Sequence, residues 1–153
     1  MSAAGCGGLP VGPDGVAMTA VWSVPLSGDA VASIEGDVAA FLSSAGVAGR
    51  AEHVGRLVVE EIVRNLIEHT PPYASDETAE VTLTVAADAV TVVVEDTRPP
   101  FAPDDAPGLD VGAPLEARRP GGMGLHLVRS LTDELRYERH AGRNRLTATV
   151  RRA

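Results

Sequence analysis

A chain of 153 residues with 44% hydrophobic and 22% charged residues is sized and composed for one globular core, which excludes a disordered chain and a membrane-spanning one. Thirteen basic residues against 21 acidic ones leave a formal net charge of −8, the wrong sign for a surface that holds nucleic-acid phosphates or anionic lipid. Every basic residue is an arginine, so chemistry that needs a lysine, such as a phosphate-loop lysine or a Schiff base, is excluded as well.

Residues 1–15 hold five Gly and two Pro without periodicity and read as a flexible leader ahead of a single domain, 16–153. The leader has no basic flank before an apolar run, so a cytoplasmic protein is expected. Its Cys6 is the only cysteine and has no partner for an internal disulfide. From Val16 to Val24 apolar residues alternate, which predicts a strand. Ser27 is placed to cap a helix in which Val31, Ile34, Val38, Phe41 and Leu42 share a stripe, ending near Gly46. A second helix is predicted from Ala51 to His69, stopped by Pro71 and Pro72.

Two alternating runs, Val81-Leu83-Val85 and Val90-Val92-Val94, are joined by a short link at Ala87 and Asp88 and predict a hairpin. From Thr97 to Pro120 there is no apolar period, and the stretch is broken by Pro99, Pro100, Pro103, Pro107 and Pro114; a connection of this kind reads as a lid or binding loop. A third helix opens at Gly121-Gly122-Met123-Gly124 and places Leu125, Val128 and Leu131 at helical spacing. Leu135 and Tyr137 then lead through a turn at Ala141-Gly142 into the alternation Leu146, Ala148, Val150. Strands gathered into hairpins, with helices between, predict an α+β fold: a two-layer sandwich with helices on one face.

On the second helix, stepping from Val54, Leu57 and Val58 by helical intervals reaches Glu61 and Asn65, with His69 a turn further. Polar groups on a core-facing stripe require a metal, a ligand or a hydrogen-bond network, unless they mark the core's edge and reach solvent. The run TVVVEDT ends in Asp96, which is either a turn former or an acceptor for an exocyclic amine such as that of adenine. Glycines opening a helix let backbone N–H groups approach an anion, and the alternative is a hinge. Arg118 and Arg119 just before them are equally suited to clamping a phosphate and to being a solvated pair. His53, His126 and His140 lack metal-ligand spacing, and no Ser, His and Asp pattern points to a hydrolase.

Taken together, VVEEIVRNLIEHT, VVVEDTRPPF and RRPGGMGLHLVRSLTDEL resemble, in order and separation, the asparagine box and two glycine boxes of the Bergerat-fold (GHKL) ATPases and kinases. The branch they resemble is the bacterial anti-sigma-factor serine kinases of partner-switching systems, and the resemblance covers Val16 to Val150. It implies a Bergerat-type sandwich with a mixed, mostly antiparallel sheet and an ATP lid at about 97–120. It also implies ATP and Mg as cofactors. Asn65 would coordinate magnesium, and Glu61 would be the general base toward a substrate serine. Asp96 would read the adenine amine, and Gly122, Met123 and Gly124, with Leu125, would line the phosphate side. His69 would lie near phosphate and Thr147 near adenine. Implied partners are a STAS-domain antagonist and a sigma factor or other effector, with homodimerisation through the first strand left open and no direct nucleic acid or membrane contact.

Arg98 and Pro100 depart from the family's pattern, standing where its first glycine box usually has glycines. Glu68 stands where sensor histidine kinases tend to carry lysine, which makes a detached histidine-kinase module the lesser reading. The expected function is an ATP- and magnesium-dependent protein serine/threonine kinase that also binds its regulators. Its rivals are a non-catalytic nucleotide-gated binding module and a structural protein without ligand.

Overall fold

The computed structural model describes residues 17–68, 77–99 and 122–152. The proposed leader, His69, both prolines after it, Arg118, Arg119 and residues 100–120 of the proposed lid lie outside them. Elements follow in the order β1 (Met18–Pro25), α1 (Ala30–Ser44), α2 (Gly49–Glu68), β2 (Thr78–Val85), β3 (Ala89–Asp96), α3 (Gly122–Leu131), β4 (Glu134–His140) and β5 (Arg143–Arg151). The five strands form one sheet in the order β1-β2-β3-β5-β4, and all four pairings are antiparallel. The helices pack on one face, giving the α+β two-layer sandwich that the strand grouping predicts.

Alternation decides which side chains meet the helices. Trp22, Val81, Val94, Leu146 and Tyr137 lie opposite one another across all five strands and form one row of the helix-facing side. Trp22 meets Phe41 of α1 edge to face, with ring centroids 5.8 Å apart. Ile34, Val38, Phe41 and Leu42 are the buried stripe of α1, while Val31, expected with them, is only half-buried. The other sheet face is half-buried at Thr82, Val93 and Thr147.

Helix α1 begins two residues later than a Ser27 cap would start it. Gly28 has φ +62°, in the left-handed region, so Ser27 cannot lead directly into helical backbone. Asp29 is the capping residue, without a side-chain cap bond, and its carbonyl accepts from Ser33 N–H at 3.1 Å. The β4–β5 hairpin turns at Ala141 (φ 52°) and Gly142 (φ 75°), both left-handed as a tight two-residue hairpin turn demands. Edge strand β4 carries Glu134, Arg136, Glu138, Arg139 and His140, a run of charge that discourages strand addition.

Candidate functional site

The buried face of α2 consists of Val54, Val58, Val59, Ile62 and Val63, and it ends in Asn65, 6% exposed. Glu61 stands to the flank of that face with half-buried Leu57 rather than on it, and its side chain keeps 18% of its accessible surface. Arg64 donates to Glu61 Oε1 at 3.0 Å and to Glu60 Oε1. Its guanidinium is held above the ordinary arginine value, chiefly by the hydrogen bond to Glu60 and against desolvation, with the charges of Glu61, Glu60 and Glu68 adding to the effect. The arginine therefore stays charged at any working pH.

Where the buried stripe of α2 ends, a pocket opens over the last residues of β3 and the first of β5. It measures about 320 Å³ with its open mouth included. Ile62, Leu66, Val94, Leu125 and Leu146 give it apolar walls, and Tyr137 of β4 closes one side. Three polar residues, each 5–6% exposed, break the apolar lining: Asn65, Asp96 and Asn144. The strand register accounts for two of them. One step beyond the Val94, Leu146 and Tyr137 row it sets Asp96 opposite Asn144, and Asn144 opposite Arg139.

A buried carboxylate is costly unless hydrogen-bonded. Asp96 Oδ1 accepts from the Arg98 backbone N–H and from Asn144 Nδ2, both at 2.9 Å. No described residue donates to Oδ2, so among these residues only one oxygen is committed, and the carboxylate lines the pocket. The Asn65 side-chain amide likewise has no hydrogen bond to a described residue. Leu125 is the fourth residue of α3, so the helix's first turn, Gly122 to Gly124, adjoins the pocket with backbone N–H groups that have no intrahelical acceptor.

The structure thus brings Asn65, Asp96, Leu125 and the opening of α3 to one cavity and leaves Glu61 beside it, one helical turn from Asn65. Thr147 is a correction. It pairs with Val93 and Arg136, at odd register from the pocket rows, and therefore lies on the sheet face away from the helices. The polar residue of β5 at the cavity is Asn144, which the sequence reading passed over as a site residue, as it did Tyr137 in the lining and Arg139 bonded to Asn144. The signal for it was present: Leu146, Ala148 and Val150 face the core, so position 144 does too, and a polar residue there needs partners.

Arg98, at the place of a family glycine, does not enter the pocket. Its Nη1 donates to the Leu66 carbonyl in the last turn of α2 at 2.9 Å, and its Nε lies 3.6 Å from Glu77 Oε2. Among the described residues no group of three or more His, Cys, Asp or Glu side chains forms a metal cluster. Asn65, whose amide oxygen accepts from no described residue and lines the pocket, suits a cation that takes most of its ligands from water and phosphate, as magnesium does.

An apolar slot with one fixed carboxylate acceptor, next to a glycine-opened helix, has the makings of a purine nucleotide site. The chain belongs to the histidine kinase-like ATPase domain family, whose profile matches residues 24–150. Its fold is like that of the solved RsbU and RsbW domains of Rv1364c from Mycobacterium tuberculosis, at 18% identity and a TM-score of 0.62. That match covers 87% of this chain and 32% of the solved one, so the chain spans about a third of the solved chain's length. No curated protein matches the sequence. No described helix is long and apolar enough to cross a membrane.

Proposed function

We propose that the protein is an ATP- and magnesium-dependent protein serine/threonine kinase and anti-sigma-type regulator, which phosphorylates a STAS-domain antagonist and alternates between it and a sigma factor or other effector. The observation that carries the nucleotide part is the convergence of buried Asn65 and Asp96 on one apolar pocket beside the first turn of α3. Membership of the ATPase family and the fold likeness to a protein with an RsbW domain support the rest.

Asp96 accepts the adenine amine, with Ile62, Leu66, Val94 and Leu146 against the ring faces. The Gly122, Met123 and Gly124 amides take phosphate oxygens, which allows phosphate binding without a lysine. Asn65 would hold magnesium through its amide oxygen, and the ion would neutralise charge on the phosphates. Glu61 accepts the serine proton as the hydroxyl oxygen bonds to the γ-phosphorus and the bond to the ADP oxygen breaks. Such a base is worth about 10²–10⁴ in rate. His69 completes the phosphate side of the reading.

A second reading has a specific observation in its favour. Glu61 is tied to Arg64, so the chain also suits a module in which nucleotide sets partner affinity without phosphotransfer. Incubation with ATP, magnesium and a candidate STAS-domain protein, followed by intact mass measurement, separates them. A gain of one phosphate on the STAS protein supports the kinase, and an unchanged mass with nucleotide-dependent complex formation supports the module.

A further inference from the structure

Asn144 uses its whole side-chain amide inside the protein. Nδ2 donates to Asp96 Oδ1 at 2.9 Å, to the Arg98 carbonyl at 3.1 Å and to the Pro99 carbonyl at 3.0 Å. Its Oδ1 accepts from the Tyr137 hydroxyl at 2.6 Å and from Arg139 Nη1 at 2.9 Å. The two donors on the oxygen fix which end of the amide is which, and so turn Nδ2 toward Asp96. Arg139 Nη1 also donates to the Arg98 carbonyl at 3.0 Å, so the two contacts brace each other. The amide is held at both ends, is 5% exposed and lines the pocket.

The geometry points to Asn144 as the residue that sets base specificity by locking the Asp96 carboxylate. This rests on the nucleotide reading given above. A carboxylate free to rotate can follow either an exocyclic amine or a ring N–H, and so accepts a 6-amino or a 6-oxo purine. With Oδ1 bound by Asn144 and the Arg98 N–H, the second oxygen has one direction and suits the 6-amino group alone. A 6-oxo group there sets acceptor against acceptor, the kind of mismatch that buried polar sites reject strongly. Asn144 acts through Asp96 and is a positioning residue.

The test uses N144V and N144T, which share a shape that a β-strand accepts and differ in one hydroxyl donor opposite Asp96. Titration calorimetry with ATP and with ITP, both with magnesium, gives the affinity ratio for each folded protein. Wild type is expected to favour ATP by at least about 100-fold, with the ratio falling at least about tenfold in N144V and staying within about threefold of wild type in N144T. A loss of affinity that leaves the ratio unchanged in N144V shows a merely structural role and overturns the inference. Absence of ATP binding by wild type overturns the nucleotide reading and this inference with it. A second measurement needs no variant: the Asn144 side-chain amide signals of the wild type shift on addition of ATP and not of inorganic triphosphate, and equal shifts with both overturn the assignment.

Discussion

Replacing Arg98 by alanine separates two jobs that this position could have, stacking on a base or anchoring the helix. In the structure the side chain, 14% exposed, anchors the helix, donating to the Leu66 carbonyl at the C-terminal end of α2. A hydrogen bond from a charged donor is worth about 1.5–3 kcal/mol, and a cation at a helix C-terminus about 0.3–1, the two overlapping. Glu77 is 37% exposed and 3.6 Å away, so solvent screening limits that ion pair to about 0.5 kcal/mol or less. The sum for R98A is about 2–3 kcal/mol, a large part of the roughly 5–15 kcal/mol that a domain holds. The contacts that shape the pocket use the Arg98 backbone, its N–H to Asp96 and its carbonyl to Asn144, and alanine keeps both. Urea unfolding of R98A is therefore expected to lose about 2–3 kcal/mol at constant slope, with ATP affinity within about threefold of wild type. An R98A protein of wild-type stability whose ATP affinity drops tenfold or more would refute the anchoring role and favour stacking on the base.

Three further outcomes follow from the same geometry. Glu61→Gln is expected to keep ATP affinity within about threefold and lower phosphotransfer to the STAS protein at least about 100-fold by radiolabel assay; equal activity would reject Glu61 as the base. Asn65→Ala removes an amide with no hydrogen bond to a described residue, so the melting temperature should change little, while ATP affinity falls at least about tenfold with magnesium and hardly without it. Ala141→Asn relieves a left-handed alanine before Gly142 and should raise the urea midpoint, a gain of about 0.5–1 kcal/mol; a lower midpoint would show that the turn is not strained.

Element order was legible because the elements have a clear period, 2 in the strands and 3.6 in the helices, with glycine or proline in most of the links between them. Less legible were features that depend on what lies across a strand pair. Leu57, Glu61 and Asn65 satisfy helical spacing together, yet the helix turns its Asn65 side to the sheet and leaves Leu57 and Glu61 on the flank. Spacing along one helix gives a face but not its centre, which packing against β3 and β5 decides. Thr147 went astray for a simpler reason. The alternation that names Leu146 and Ala148 as core residues excludes their neighbour, and the same parity selects Asn144. Arg98 was legible only as a departure, since its carbonyl acceptor on α2 is 32 residues away in sequence.

The pocket sits where three buried stripes end. Each of α2, β3 and β5 carries apolar residues to its inner face until the final or first position beside the cavity, and there Asn65, Asp96 and Asn144 replace them. Polar groups at these depths destabilise a core unless bonded, and the protein satisfies them unequally. Among the described residues Asn144 is engaged at both ends, Asp96 through one oxygen, and the Asn65 amide not at all. A purely structural network would gain from closing every one of these bonds, as Asn144 does. The groups that no described residue engages, a carboxylate oxygen of Asp96 from the sheet and the Asn65 amide from α2, line the same cavity as Leu125 of α3. A ligand that donates at one end and brings anionic oxygen, with its cation, to the other supplies what the fold leaves unmade.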